Sequence, residues 1–182
     1  MNPITRKRIG LILLFAFFLG PFVAAWVLHA IDWRPAHTRN YGTLIQPPKD
    51  ISAARFVLAD GQSLQWKDAD WSWTVFALPG PGCGERCLAR IDELRRVRLS
   101  LNQNAYRVRI VVLDDAMDAE RLAPLKPVEL GRDSDGTLAD LRPQGSDEVA
   151  VAFADPHGFL ALRYPVDFDA GRMRKDLARL VK

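Results

Sequence analysis

The chain has two cysteines and three histidines in 182 residues, and neither set is grouped as a zinc site would require. It has no glycine-rich phosphate loop and no serine–histidine constellation, so nothing points to phosphoryl transfer or hydrolysis. Internal repeats and low-complexity tracts are absent as well. Excess charge is scarce: Arg6, Lys7 and Arg8 are the only charged residues before Asp32, and removing these three from the 25 basic residues leaves 22 against 22 acidic ones. The globular part is therefore neutral, which argues against a nucleic-acid partner.

Charge is missing altogether from Ile9 to Ala30. Twenty-two such residues span roughly 33 Å as a helix, enough for the hydrocarbon core of a bilayer. The basic cluster before them predicts a cytoplasmic N-terminus (residues 1–8), a transmembrane anchor (9–30) and an extracytoplasmic remainder. Trp26 and Trp33 fall where an outer aromatic belt would lie, and Pro21 is tolerated in a membrane helix. A cleaved signal peptide is the alternative, with Leu28-His29-Ala30 as a poor cleavage site and an apolar core longer than such peptides need. Residues 31–50, rich in proline and without a helical period, read as an extended juxtamembrane linker to a domain over 51–182. His37 lies in this linker and reads as a solvated histidine rather than a metal ligand.

The rest of the chain is organised around Phe76–Leu101. An apolar run (Trp73, Val75, Phe76, Leu78) enters a Pro/Gly turn that delivers Cys83 and Cys87 to the mouth of a helix. Leu88, Ile91, Leu94, Val97 and Leu101 recur every three to four positions, an amphipathic period. Strand, tight loop, cysteines and helix are the local architecture of a thioredoxin-like redox or metal site. Three residues separate the sulfurs, so the side chains lie one turn apart on one face. Such a pair can close a disulfide, offer two soft thiolates to Cu(I), or serve as a plain structural staple. The helix N-terminus predicts that Cys83 is the more acidic thiol, with Arg86 adding positive charge, and that Cys87 is more shielded.

Arg55–Trp66 alternates around Asp60-Gly61 and predicts a β-hairpin. Tyr106–Leu113 is rich in β-branched residues and reads as a strand that closes a parallel, right-handed βαβ unit. Asp114-Asp115 at its C-terminal end read as solvated loop carboxylates. Ala119–Leu125 predicts a helical turn, Asp133–Gly136 a loop and Thr137–Leu141 a short helix. Val149–Phe153 and Phe159–Tyr164 flank a turn at Asp155–Gly158, and Ala170–Val181 is a closing amphipathic helix. The expected fold class is α/β and thioredoxin-like: a central mixed sheet flanked by helices, behind one transmembrane helix.

The cysteine pair opening a helix and the segment ADPHGFLALRY resemble the Sco/SenC group of thioredoxin-like proteins. The stretches NYGTLIQPP, WSWTVF and RRVRLSLNQNAYRVRIVVL are similar to small membrane proteins associated with bacterial cytochrome c oxidase assembly. The resemblance covers most of the chain and implies an inner-membrane location with a periplasmic domain. It also implies partners among oxidase subunits or other assembly factors, and Cu(I) or thiol redox at Cys83 and Cys87. It departs from the group at the third copper ligand: Asp147, with neighbours Ser146 and Glu148, stands where the histidine is expected, and His157 in the turn is a weak substitute. The proline that faces the cysteines in dithiol oxidoreductases is also missing, since Pro143 stands six residues before Val149. Three readings follow: an assembly factor handling copper, a thiol–disulfide oxidoreductase acting on an oxidase subunit or copper carrier, and an anchored interaction module with a structural disulfide.

Overall fold

The computed structural model describes residues 3–31, 33 and 40–181. His37 lies outside them. Contacts divide the chain into a unit of residues 1–39 and one of 40–182. The first is helix α1, Pro3–Ala30, with Pro21 inside it. Its stretch Arg8–Ala30 is long and apolar enough to cross a membrane.

The second unit is built on a seven-stranded mixed sheet. Its strands are β1 (Thr43–Asp50), β2 (Phe56–Leu58), β3 (Trp73–Pro79), β4 (Val108–Leu113), β5 (Val128–Asp133), β6 (Val149–Ala154) and β7 (Phe159–Tyr164), in the order β1-β7-β6-β3-β4-β5-β2. The expected βαβ unit is present: β3 pairs with β4 in parallel, Val75 opposite Ile110, and α2 (Glu85–Leu99) crosses between them. β4 continues the parallel set to β5, while on the other side of β3 the strand β6 runs antiparallel to it and β7 antiparallel to β6.

Alternation along the strands sends side chains to two cores. Val75, Ala77, Ile110, Val112, Val151 and Leu162 face α2, α3 (Ala119–Leu122) and α4 (Ala170–Leu180), where Ile91, Leu94, Leu122, Met173 and Leu177 complete the layer. Phe76, Leu78, Val111, Leu113 and Ala152 face the other way. Among the described residues of this unit, no helix beyond a 3₁₀ turn covers that second face; Ile51, Phe56, Leu64 and Leu138, from irregular segments and the short β2, close it. The flanking helices are thus gathered on one side.

Three departures from the sequence reading concern the sheet edges. Thr43–Asp50, inside the expected linker, is strand β1, antiparallel to β7 with a register shift between Leu44 and Lys49 that accommodates Pro47 and Pro48 at an edge. The hairpin over 55–66 keeps its turn, with Gly61 at φ +82°, but Phe56–Leu58 pairs with β5 and touches its own returning arm only at a Val57–Ser63 bridge. β5 itself was not foreseen between Pro127 and Asp133.

The chain enters this domain through a buried carboxylate. Asp176 on α4, 2% exposed, accepts hydrogen bonds from the backbone N–H of Tyr41 (2.7 Å) and Gly42 (3.0 Å) and from the Tyr164 hydroxyl. Burial, and then the hydrogen bond to Asp176, raise the Tyr164 hydroxyl far above the ordinary tyrosine value. The β1 edge is thereby tied to the helical layer.

Candidate functional site

The site forms where β3 ends. Leu78-Pro79 lead into Gly80-Pro81-Gly82, and Cys83 precedes Gly84, the N-cap of α2. Cys83 and Cys87 are joined in a disulfide with Cα atoms 5.2 Å apart. One sulfur stands in the loop and the other in the first helical turn, which is how a three-residue gap is bridged. Pro81 and Gly82 are exposed, but the cysteines are not: Cys83 is 5% exposed and Cys87 0%, and both belong to the core that holds Ile91, Met117 and Val149. The Pro/Gly turn is therefore exposed at its tip while the cysteines it delivers are buried. Cys83 remains the less buried residue of the two.

The loop over 143–148 is laid directly on the cysteine loop. Gly80 donates to the Glu148 carbonyl (2.9 Å) and Asp147 donates from its N–H to the Gly82 carbonyl (3.1 Å). A Cβ on Gly80 would stand 2.4 Å from the Gly145 carbonyl oxygen, so the two backbones touch with no room for a side chain. Asp147 sits at φ +58°, a left-handed conformation that Asp tolerates better than most residues, and aims its carboxylate at the start of α2. Oδ1 accepts from Gly84 N–H (2.7 Å) and Cys87 N–H (2.8 Å), and Oδ2 from Arg86 N–H (3.1 Å). A helix leaves its first N–H groups without intrahelical partners, and Gly84 has no side chain to cap them. Asp147 supplies the cap from more than sixty residues away. These N–H bonds, that of Cys87 foremost, hold its carboxyl below the usual carboxylate range.

This bears on the electrostatic expectation for Cys83. The N–H groups of Gly84, Arg86 and Cys87 at the helix mouth, counted on to favour its thiolate, are donated to the Asp147 carboxylate in the disulfide form. Arg86 is exposed, and the cation held against Cys83 is Arg121 of α3, whose Nη1 donates to the Cys83 carbonyl (2.8 Å). Neither the capping role of Asp147 nor Arg121 was read from the sequence, since no local pattern links residue 147 or 121 to a helix starting at 85.

The other candidates lie apart. Because β6 runs antiparallel to β3, the Asp155–Gly158 turn is at the far end of the sheet from the cysteine loop, about 20 Å away for a six-residue strand. His157 there makes a tilted ring contact with Trp71, centroids 5.2 Å apart, and does not meet the sulfurs. Asp114 and Asp115 do lie near the cysteine loop, in a cleft of about 510 Å³ lined also by Pro79, Gly80, Gly82 and Arg142. Asp114 accepts from Ala116 N–H, and Asp115 pairs with Arg132 at 2.9 Å, as loop carboxylates do. Among the described residues no group of three His, Cys, Asp or Glu side chains is arranged to hold a metal ion. Asp147, which stands where the third copper ligand of the Sco/SenC group was expected, spends its oxygens on backbone N–H groups.

The family model for the transmembrane-like, thioredoxin-like C-terminal domain matches residues 73–182, from β3 through the cysteine helix to α4. The chain belongs to this transmembrane-like, thioredoxin-like family. Solved structures agree on the fold at low identity. Yeast Sco1 is 13% identical with a TM-score of 0.54, over 75% of this chain and 96% of that one. Arabidopsis thaliana ScoI, solved with copper bound, is 13% identical with a TM-score of 0.52, over 77% and 97%. BsSco, described as a Sco-family cytochrome c oxidase assembly protein with a disulfide switch, is 11% identical with a TM-score of 0.50, over 80% and 97%. No curated protein matches the chain in sequence. Within the family fold, the cysteine pair at the β3–α2 junction is the feature with chemistry.

Proposed function

We propose that this protein is a membrane-anchored, extracytoplasmic thiol–disulfide protein whose Cys83–Cys87 pair exchanges with a cysteine-bearing client during cytochrome c oxidase assembly. The observation that carries this reading is a disulfide at the loop–helix junction in which Cys83, in the loop, keeps a little exposure while Cys87, in the helix, is fully buried. A client thiolate attacks Cys83 Sγ, the Cys83–Cys87 bond breaks, and Cys87 leaves as a thiolate that takes up a proton. A second client thiol then attacks the client sulfur of the mixed disulfide and releases Cys83, leaving a dithiol here and a disulfide on the client; the reverse sequence oxidises the client. The cleft beside the loop gives a client segment a place to lie. The oxidase setting is supported by the sequence resemblance to oxidase-assembly proteins and by the description of BsSco. The basic residues Arg6, Lys7 and Arg8 at the start of α1 favour the N-terminus in the cytoplasm of a bacterial cell and the domain in the periplasm, where a disulfide persists.

Copper handling is the second reading, favoured by the copper-bound state of a protein with the same fold. The reduced pair would offer two soft thiolates to Cu(I) as cargo, and a partner would have to complete the ligand set. One experiment separates the two. Cys87→Ala leaves Cys83 to hold a client covalently, and a mixed disulfide that accumulates in cells and yields to reductant supports exchange. No adduct, with one tightly bound Cu(I) per reduced wild-type chain, replaces exchange with copper handling.

A further inference from the structure

We propose that Asp147 is a positioning residue for the thiol pair: by occupying the N–H groups at the mouth of α2 with a carboxylate, it biases Cys83–Cys87 toward the disulfide. The inference rests on the exchange reading above and goes beyond it by assigning the group that sets the equilibrium. Exchange converts the disulfide to two thiols by taking two electrons and two protons from an external dithiol, which itself becomes a disulfide. The thiolate released on Cys83 in that step would ordinarily be favoured by the unpaired N–H groups and the positive end of the helix dipole.

Here those resources are taken. Gly84, Arg86 and Cys87 all donate to Asp147, at 2.7 to 3.1 Å. The thiolate would form where a carboxylate already holds three of the N–H donors at the helix mouth, and both the like charge and the loss of donors disfavour it. Arg121 opposes them only partly, because it donates to the Cys83 carbonyl and not to sulfur. The backbone is shaped for this arrangement. Asp147 adopts a left-handed φ of +58°, its N–H is pinned to Gly82, and a Cβ on Gly84 would stand 3.1 Å from its carboxylate. A cap needed only for helix stability could come from a Ser, Thr or Asp at residue 84 itself. In this fold the charge is brought from a second loop and set against the disulfide.

The test uses the full chain in detergent, equilibrated in dithiothreitol buffers of graded ratio, trapped by alkylation and weighed. Asp147→Asn keeps the shape and an acceptor oxygen but loses the charge; Asp147→Ala loses both. Both variants are expected to shift the equilibrium toward the dithiol by roughly tenfold, about 30 mV for a two-electron couple. The reduced wild-type chain, which needs no variant to fold, should show Cys83 alkylation rising with a midpoint at or above the ordinary thiol value of about 8.5. Equilibrium constants equal in all three chains, or Asn behaving as wild type, overturn the proposal, as does a wild-type midpoint well below the ordinary value. A wild-type disulfide that exchanges in no buffer overturns the exchange reading itself and this inference with it, an outcome distinct from wild-type exchange that the variants leave unchanged.

Discussion

Reduction of the disulfide should weaken the domain without unfolding it. The bridge joins residues four apart, so it closes a loop of only five residues. The chain-entropy model gives such a loop about 2 kcal/mol near 25 °C, against roughly 3 kcal/mol for a fifteen-residue one. Domains of this size are commonly stable by about 5–15 kcal/mol, and each kcal/mol moves the melting midpoint by roughly 2–4 °C. Reduction removes no atoms from the core beside Ile91 and Met117, so no large-to-small cavity cost is added to the loss. The expected result is therefore a fall in melting midpoint of about 4–8 °C on adding dithiothreitol, with the folded circular dichroism retained at room temperature. The Cys83→Ala/Cys87→Ala chain serves as the control and should not respond to the reductant. Cooperative loss of structure at room temperature would refute the reasoning and mark the bridge as a structural staple.

Four further outcomes follow from named contacts. In the reduced chain, alkylation at neutral pH should label Cys83 well before Cys87, because Cys87 is fully buried inside the helix; equal rates would place the helix start elsewhere. Asp147 has a folded pKa below its unfolded value, so its contribution to stability is present above the ordinary carboxylate range and is lost as pH falls through the lowered value. Denaturant titrations should show stability falling below about pH 4, less steeply in Asp147→Asn, and identical acid limbs would contradict this. Asp176→Ala should cost about 3 kcal/mol by stranding Tyr41 N–H, Gly42 N–H and the Tyr164 hydroxyl, and should speed proteolysis within residues 40–50; a loss under about 1 kcal/mol would mean β1 is held some other way. A reporter fused after Lys182 should behave as extracytoplasmic, and cytoplasmic activity would reverse the orientation assigned to α1.

What could be read in the sequence was what repeats locally. The period of Leu88, Ile91, Leu94 and Val97 located α2, the β-branched run of 108–113 gave β4, and the turn residues of Asp155–Gly158 gave the β6–β7 hairpin. β5 was hidden because Val128 and Leu130 are only two alternating apolar residues, interrupted by Gly131 and charges; the sheet, not local propensity, makes that strand. β1 was hidden by Pro47 and Pro48, which a central strand would reject and an edge tolerates. At the site, the pairing of Cys83 with Cys87 was among the legible options. The cap was not, because a carboxylate acting across more than sixty residues leaves no spacing to detect, and position 147 showed only that a histidine was missing.

The most direct test of the central claim is the redox titration of the full wild-type chain against dithiothreitol, with thiol trapping and circular dichroism read on the same samples. The account predicts a reversible two-electron transition between Cys83–Cys87 disulfide and dithiol in a chain that stays folded throughout. A pair that is reduced only as the domain unfolds would contradict it.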